Sequence, residues 1–180
     1  AKRLDSLKGD EVLTELTNLY TNGIKFVEPA DLSGSLKGRQ NVYNHLDMLV
    51  REAQSTITLV TTADGLNRKL EALLPTLERA KKRGVSVKIA APITPTNEKV
   101  AKELSKVAEV RSVKDFDGRF SIIDGQNLMF MLLDDAEVHP SYDVGVWINT
   151  PYFAKSLDGM FDLAWRGFSP VKGIKGIKKK

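Results

Sequence analysis

The chain has 180 residues, 42% hydrophobic and 28% charged, enough for one globular domain with a core of its own. Cysteine is absent, which excludes disulfides and thiolate metal sites and suits a reducing, cytoplasmic setting. The formal charge of +4 resides in five lysines among the last nine residues, so the rest of the chain is close to neutral and offers no broad nucleic-acid face.

The start, AKRLDSLKGDEV, lacks the apolar run of a signal peptide, and no stretch approaches the roughly 18 apolar residues of a membrane span. Asp10 to Tyr20 predicts a short amphipathic helix, with Asp10 as cap and Val12, Leu13, Leu16, Leu19 and Tyr20 on one stripe. Asn22 and Gly23 stop it, and Ile24, Phe26 and Val27 predict a strand. Gly34 and Gly38 flank a short segment. A helix then carries Val42, Leu46, Leu49 and Val50 to about Glu52.

Thr56 to Thr62 alternates and is rich in β-branched residues, a strand, and Leu66 to Lys82 follows as a helix that Pro75 is expected to kink or split. Val85 to Ala91 predicts the next strand, Thr96 the cap of a helix running to about Val107, and Glu109 to Val113 a third strand. This βαβαβ alternation predicts an α/β domain with a mostly parallel or mixed sheet flanked by helices on both faces. Arg119 to Ile123 and Leu128 to Leu133 read as a hairpin turning at Asp124-Gly125, and Asp143 to Ile148 as the last strand. Pro151 opens a final helix carrying Phe153, Leu157, Phe161, Leu163 and Trp165. The divisions expected are 1–23, a linking or pairing helix; 24–170, the folded body; and 171–180, a basic disordered tail.

Most catalytic templates fail. Two histidines, His45 and His139, cannot make a metal cluster, and no P-loop, GxGxxG or serine elbow occurs, so no metal or cofactor is implied. Lys37-Gly38-Arg39 is a basic turn able to hold an anion, but by default a solvated loop. The informative stretch is Asp117-Gly-Arg119-Phe-Ser-Ile-Ile-Asp124. Read alone, Asp124 is a turn residue and Arg119 an edge-strand charge. Its spacing resembles the H-x-K-x4-D signature of phospholipase D-like enzymes, where the resemblance implies that histidine attacks phosphorus, lysine holds the phosphoryl oxygens and aspartate supports the site. Here a carboxylate, Asp117, replaces the nucleophile and would repel a phosphodiester, so no catalytic residue is expected. Arg119 retains a charge able to grip an anion.

Further landmarks come in order: Gly38-Arg39-Gln40-Asn41 opening an amphipathic helix that ends Glu52-Ala53, Arg83-Gly84-Val85-Ser86-Val87-Lys88-Ile89, the hairpin at Asp124-Gly125, Gly145-Val146-Trp147-Ile148, and the aromatic helix ending at Trp165. From Ile24 to Phe168 the chain resembles the phospholipase D-like domain of TrmB-type archaeal transcriptional regulators. The resemblance implies a non-catalytic domain for effector sensing, homodimerisation or both, with DNA contacted by an upstream winged helix-turn-helix. The chain begins near the pairing helix of such proteins, as expected of a truncated or stand-alone relative, and looks more like their short members than like those with an additional β-rich sugar domain. The alternatives are a phosphodiesterase or nuclease using Asp117 or His45, and a direct nucleic-acid binder acting through Arg119 and the tail. A ligand is expected at the carboxyl ends of the parallel strands, where Thr61, Thr62 and Asp64 join Asp117, Arg119 and Asp124 as candidate ligand or anion contacts. Thr61 and Thr62 are equally suited to cap the helix that follows them.

Overall fold

Stretches of β-branched residues that can bury both faces end up at the centre of a sheet, and β2 (Thr56–Val60) and β3 (Ser86–Ala91) do so here. The computed structural model describes residues 11–21, 29–114 and 116–171. It falls into two units, one up to residue 31 and one from residue 32. In the first, α1 (Glu11–Thr21) is the expected amphipathic helix, with Leu13, Leu16 and Tyr20 exposed. The strand expected at Ile24 to Val27 and the tail from residue 172 lie outside the described residues. One helical turn, α2 (Pro29–Leu32), precedes the sheet.

The second unit adds β1 (Ser33–Lys37), α3 (Arg39–Glu52), α4 (Ala63–Lys82), α5 (Glu98–Leu104) and β4 (Glu109–Ser112). It is completed by β5 (Phe120–Ile123), β6 (Asn127–Met131), β7 (Val144–Asn149), α6 (Pro151–Trp165) and β8 (Ser169–Pro170). Strand order is β1-β7-β6-β5-β2-β3-β4-β8. The sheet is mixed: the βαβαβ stretch supplies the parallel pairs β2/β3 and β3/β4, and the other neighbours are antiparallel.

Side chains alternate across this sheet and each face meets helices. Ile57, Leu59, Val87, Ile89, Ile123 and Met129 pack with α3, α4 and α5 through Leu46, Leu49, Leu66, Leu73, Leu77 and Leu104. On the opposite face Phe161 and Trp165 of α6 cover Val60, Ala90 and Val113, and Ala154 covers Ile122 and Leu128. Phe153 and Leu163 of the same helix are exposed.

Pro75 does not split α4, which runs unbroken through it. Pro75 is exposed, so the missing donor falls on the solvent side, while Leu73, Leu77 and Ala80 hold the helix to the core. Thr96 caps no helix: Asn97 takes that position, α5 ends at Leu104, and the buried Asn97 amide instead ties Ala63 and Pro92 carbonyls to the Thr94 N–H. At the hairpin, Asp124 and Gly125 have φ of 56° and 58°, the left-handed values its tight turn requires. Thr150 caps α6, with Pro151 in its first turn as expected.

Gly34 lies opposite Trp147 in the β1/β7 ladder, and a Cβ there would stand 2.7 Å from the indole Nε1. Gly34→Ala is therefore expected to displace the indole and lower unfolding free energy by about 1–3 kcal/mol. Urea unfolding followed by tryptophan emission measures both effects; an unchanged midpoint would show that the edge strand adapts freely.

Candidate functional site

Asp117 and Arg119 precede β5 and Asp124 follows it, so one short strand spaces the three motif positions. Asp117 is exposed. Asp124 faces the link between α3 and β2, where its carboxylate accepts the N–H groups of Gln54 (2.9 Å), Ser55 (2.8 Å) and Thr56 (3.0 Å) and the Ser55 hydroxyl (2.9 Å). Burial works to raise its pKa, but these four donors outweigh it and hold the carboxyl below its usual range. Asp124 thus locks the hairpin to the start of β2.

Arg119 turns inward. It donates through Nη1 to Asp143 Oδ1 (3.1 Å) and through Nη2 to Oδ2 (2.7 Å), and Nη1 also reaches the Leu133 carbonyl (2.8 Å). Arg39 Nε donates to the same Oδ2 at 2.9 Å, and the Asp143 side chain has no exposed surface. Burial alone would raise the Asp143 pKa; the hydrogen bonds and charges of Arg119 and Arg39 prevail and lower it. The planar fork that could hold an anion is occupied by the protein's own carboxylate.

At the carboxyl end of β2 the three expected residues separate. Thr61 is buried, its N–H bonded to the Ala90 carbonyl, and Asp64 is exposed on the first turn of α4. Thr62 caps α4 by accepting the Gly65 N–H, and its hydroxyl donates to Asp135 at 2.7 Å. Arg68 pairs with the same Asp135 oxygen. Asp135, too, is pushed up by burial and brought down further by Thr62, Arg119 and Arg68.

A cavity of about 230 Å³ next to the motif is lined by Thr62, Asp117, Arg119, Leu132, Leu133 and Asp134 among others. Two carboxylates and leucines surround it, and its arginine is already paired, so the space is poorly made for a phosphodiester. The histidines do not enter it as ligands: His45 packs 5.5 Å from the Trp147 ring, and His139 Nδ1 accepts the Ser141 N–H. Among the described residues no group of three or more His, Cys, Asp or Glu could hold a metal, and no helix is long and apolar enough to cross a membrane. Sequence reasoning missed Arg39 as an ion-pair partner, along with Arg68, Asp135 and Asp143.

Residues 35–167 match the family described as transcriptional regulator TrmB, EBD N-terminal subdomain. The fold is similar to that of TrmBL2, an archaeal chromatin protein described as showing a novel mode of DNA binding, with a TM-score of 0.59 and 21% identity; the match covers 93% of this chain and 64% of that one. It is also similar to Nuc, a phospholipase D family member from Salmonella typhimurium (TM-score 0.59, 17% identity, 78% of this chain and 99% of that one). NucT from Helicobacter pylori gives a TM-score of 0.60 at 12% identity over 77% of this chain and 98% of that one. No curated protein sequence matches the chain.

Removing the carboxylate at 143 leaves two arginines without their shared anion, and Asp143→Ala is expected to lower unfolding free energy by about 3–5 kcal/mol. Chemical denaturation at pH 7 measures it; a loss below 1 kcal/mol, roughly the range of surface pairs, would contradict a buried network. The folded pKa values of Asp124, Asp135 and Asp143 lie below their unfolded values near 3.9, so the stability they supply is complete above about pH 5 and is lost as pH falls through the folded values. Urea midpoints should therefore hold from pH 8 to 5 as far as these groups decide them and drop below about pH 4, with a shallower drop in Asp143→Asn.

Proposed function

The chain belongs to the TrmB family of transcriptional regulators, and from that membership we propose that it is a non-catalytic regulatory domain that holds a small effector, pairs with a second copy, and governs DNA contacts made by an upstream winged helix-turn-helix. The observation that carries the non-catalytic part is the condition of the motif. Phosphoryl transfer of the phospholipase D-like kind needs a neutral nitrogen nucleophile at 117 and an available cation at 119. Position 117 holds a carboxylate, and the fork of Arg119 is filled by Asp143. Asp124 remains as a structural acceptor for the start of β2.

Family membership supports the link to DNA. Pairing is supported by α1, whose exposed Leu13, Leu16 and Tyr20 recur at three- and four-residue intervals, the spacing of a helix seam. The fold likeness to Nuc and NucT favours a second reading, a phosphodiesterase using Asp117 or His45. Against it, His45 is packed on Trp147 and Asp117 has the wrong charge. Direct nucleic-acid binding through Arg119 would require that side chain to leave its ion pair.

Hydrolysis of bis(p-nitrophenyl) phosphate separates these readings. No turnover above buffer is expected, and turnover that disappears in Asp117→Ala would overturn the regulatory reading. In a mobility-shift series the chain by itself is expected not to bind duplex DNA even at low salt; steeply salt-dependent binding would establish the direct mode instead.

A further inference from the structure

The spacing of α4 places one cation where an apolar residue belongs. Lys69 lies three residues after Leu66 and four before Leu73, both fully buried, and it shares their inward stripe. It is 9% exposed, with Nζ 5.0 Å from the centre of the Tyr43 ring. Arg68 and Arg119 are close enough to act on its charge. Burial lowers its pKa, Tyr43 works to raise it, and the two arginines lower it again.

Lys69, Arg68 and Arg119 thus interact, and Arg39 joins Arg119 on Asp143. The buried carboxylates bound by these arginines are Asp143 and Asp135, two against four cations. Arg39 Nη2 and Arg68 Nε are buried without a hydrogen-bond partner among the described residues. Tyr43 stands beside both cations: its ring lies under the Lys69 ammonium, and it lines the same cleft as Arg68. A phenol hydroxyl is a donor that an anion in the cleft can accept from.

A cleft of about 510 Å³ opens at this place, lined by Arg39, Gln40, Tyr43, Arg68 and Glu71 among others. Tyr43 also lines a smaller cavity of about 20 Å³ with Lys69, Arg119 and Ser121, room for about one water. The larger volume is that of a small-molecule site. Excess positive charge behind it favours an anion, while the Glu71 carboxylate at the rim opposes a long polyanion.

We propose that this cleft between α3 and α4 binds a small molecule through a carboxylate or phosphoryl group, held by Arg39, Arg68 and the Tyr43 hydroxyl with Lys69 behind them. The site stands apart from the motif cavity at Asp117, and the proposal rests on the regulatory reading in naming the class of effector. The ligand supplies the anion that the four cations lack. It also touches two helices whose arginines hold Asp135 and Asp143, so its binding tightens the segment joining β6 to β7.

Thermal unfolding and calorimetric titration with sodium phosphate and with sodium succinate, each at ionic strength held constant with sodium chloride, test this. At least one anion is expected to give a saturable rise in Tm. Phosphate alone marks a phosphoryl site, succinate alone a carboxylate site, and both the shared chemistry. Arg68→Gln is expected to weaken binding at least about tenfold, the loss of one charged contact, and Lys69→Met to weaken it severalfold by removing positive charge from behind the cleft. Without ligand, Lys69→Met is expected to melt no lower than the wild type, because a buried ammonium is exchanged for an apolar side chain of similar size. No saturable shift with either anion, or equal shifts in wild type and both variants, overturns the proposal. Phosphodiester hydrolysis lost in Asp117→Ala overturns the regulatory reading and leaves this binding result standing, so the two failures are distinct.

Discussion

A carboxylate with no exposed surface, that of Asp143, joins parts of the chain that lie far apart in sequence. Arg39 at the start of α3 is 104 residues away and Arg119 before β5 is 24 away, and both donate to it. Next to it, the Asp143 carbonyl accepts the Gly38 N–H at 2.7 Å. Such a network contributes less through net stability than through what its disruption would cost, since a lone buried ion loses hydration that nothing replaces. The start of β7, the turn from β1 into α3 and the approach to β5 are therefore fixed relative to one another. That end of the sheet has one arrangement that satisfies its charges.

The same constraint separates the roles of the three motif positions. The third motif position still serves the scaffold: four donors from residues 54–56 converge on Asp124, so the hairpin and β2 stay in register whatever sits at 117. Position 119 keeps a cation, but its guanidinium is turned into the protein. An arginine suits that role better than a lysine, because its planar fork matches both oxygens of Asp143 at once. Position 117 takes no part in the network and faces solvent. Position 124 serves the scaffold and position 117 does not, so residue 117 can change without disturbing the hairpin.

Local causes were readable along the chain and distant ones were not. The alternation of Thr56 to Val60, the Asp124-Gly125 turn and Pro151 at the head of α6 each have their reason within a few residues, and each appears in the structure. Pro75 does not split its helix because a helix packed on a core tolerates the loss of one solvent-side hydrogen bond. Arg39 looked like part of a solvated basic turn, and Asp143 like the polar start of a strand; nothing local reveals that they meet. Lys69 differs. Its place between Leu66 and Leu73 at helical spacing marks a charge on a buried stripe, a signal present in the sequence and passed over among neighbouring polar residues.

The charges converge on the segment between β6 and β7. Arg119 holds the Leu133 carbonyl, Thr62 and Arg68 hold Asp135, and Arg119 and Arg39 hold Asp143, so α3, α4 and β5 all restrain one connection. Its ends are fixed to β7 and to the α3 turn, and its middle bends through the short 3-10 turn Pro140–Tyr142. A change in charge balance at Arg39 or Arg68 acts on this segment before it acts on the core, because apolar packing resists small displacements while an ion pair can exchange partners. A regulatory domain needs such an element, restrained by contacts that a small ligand can strengthen or replace. On this fold it lies beside Arg119, the middle position of the motif.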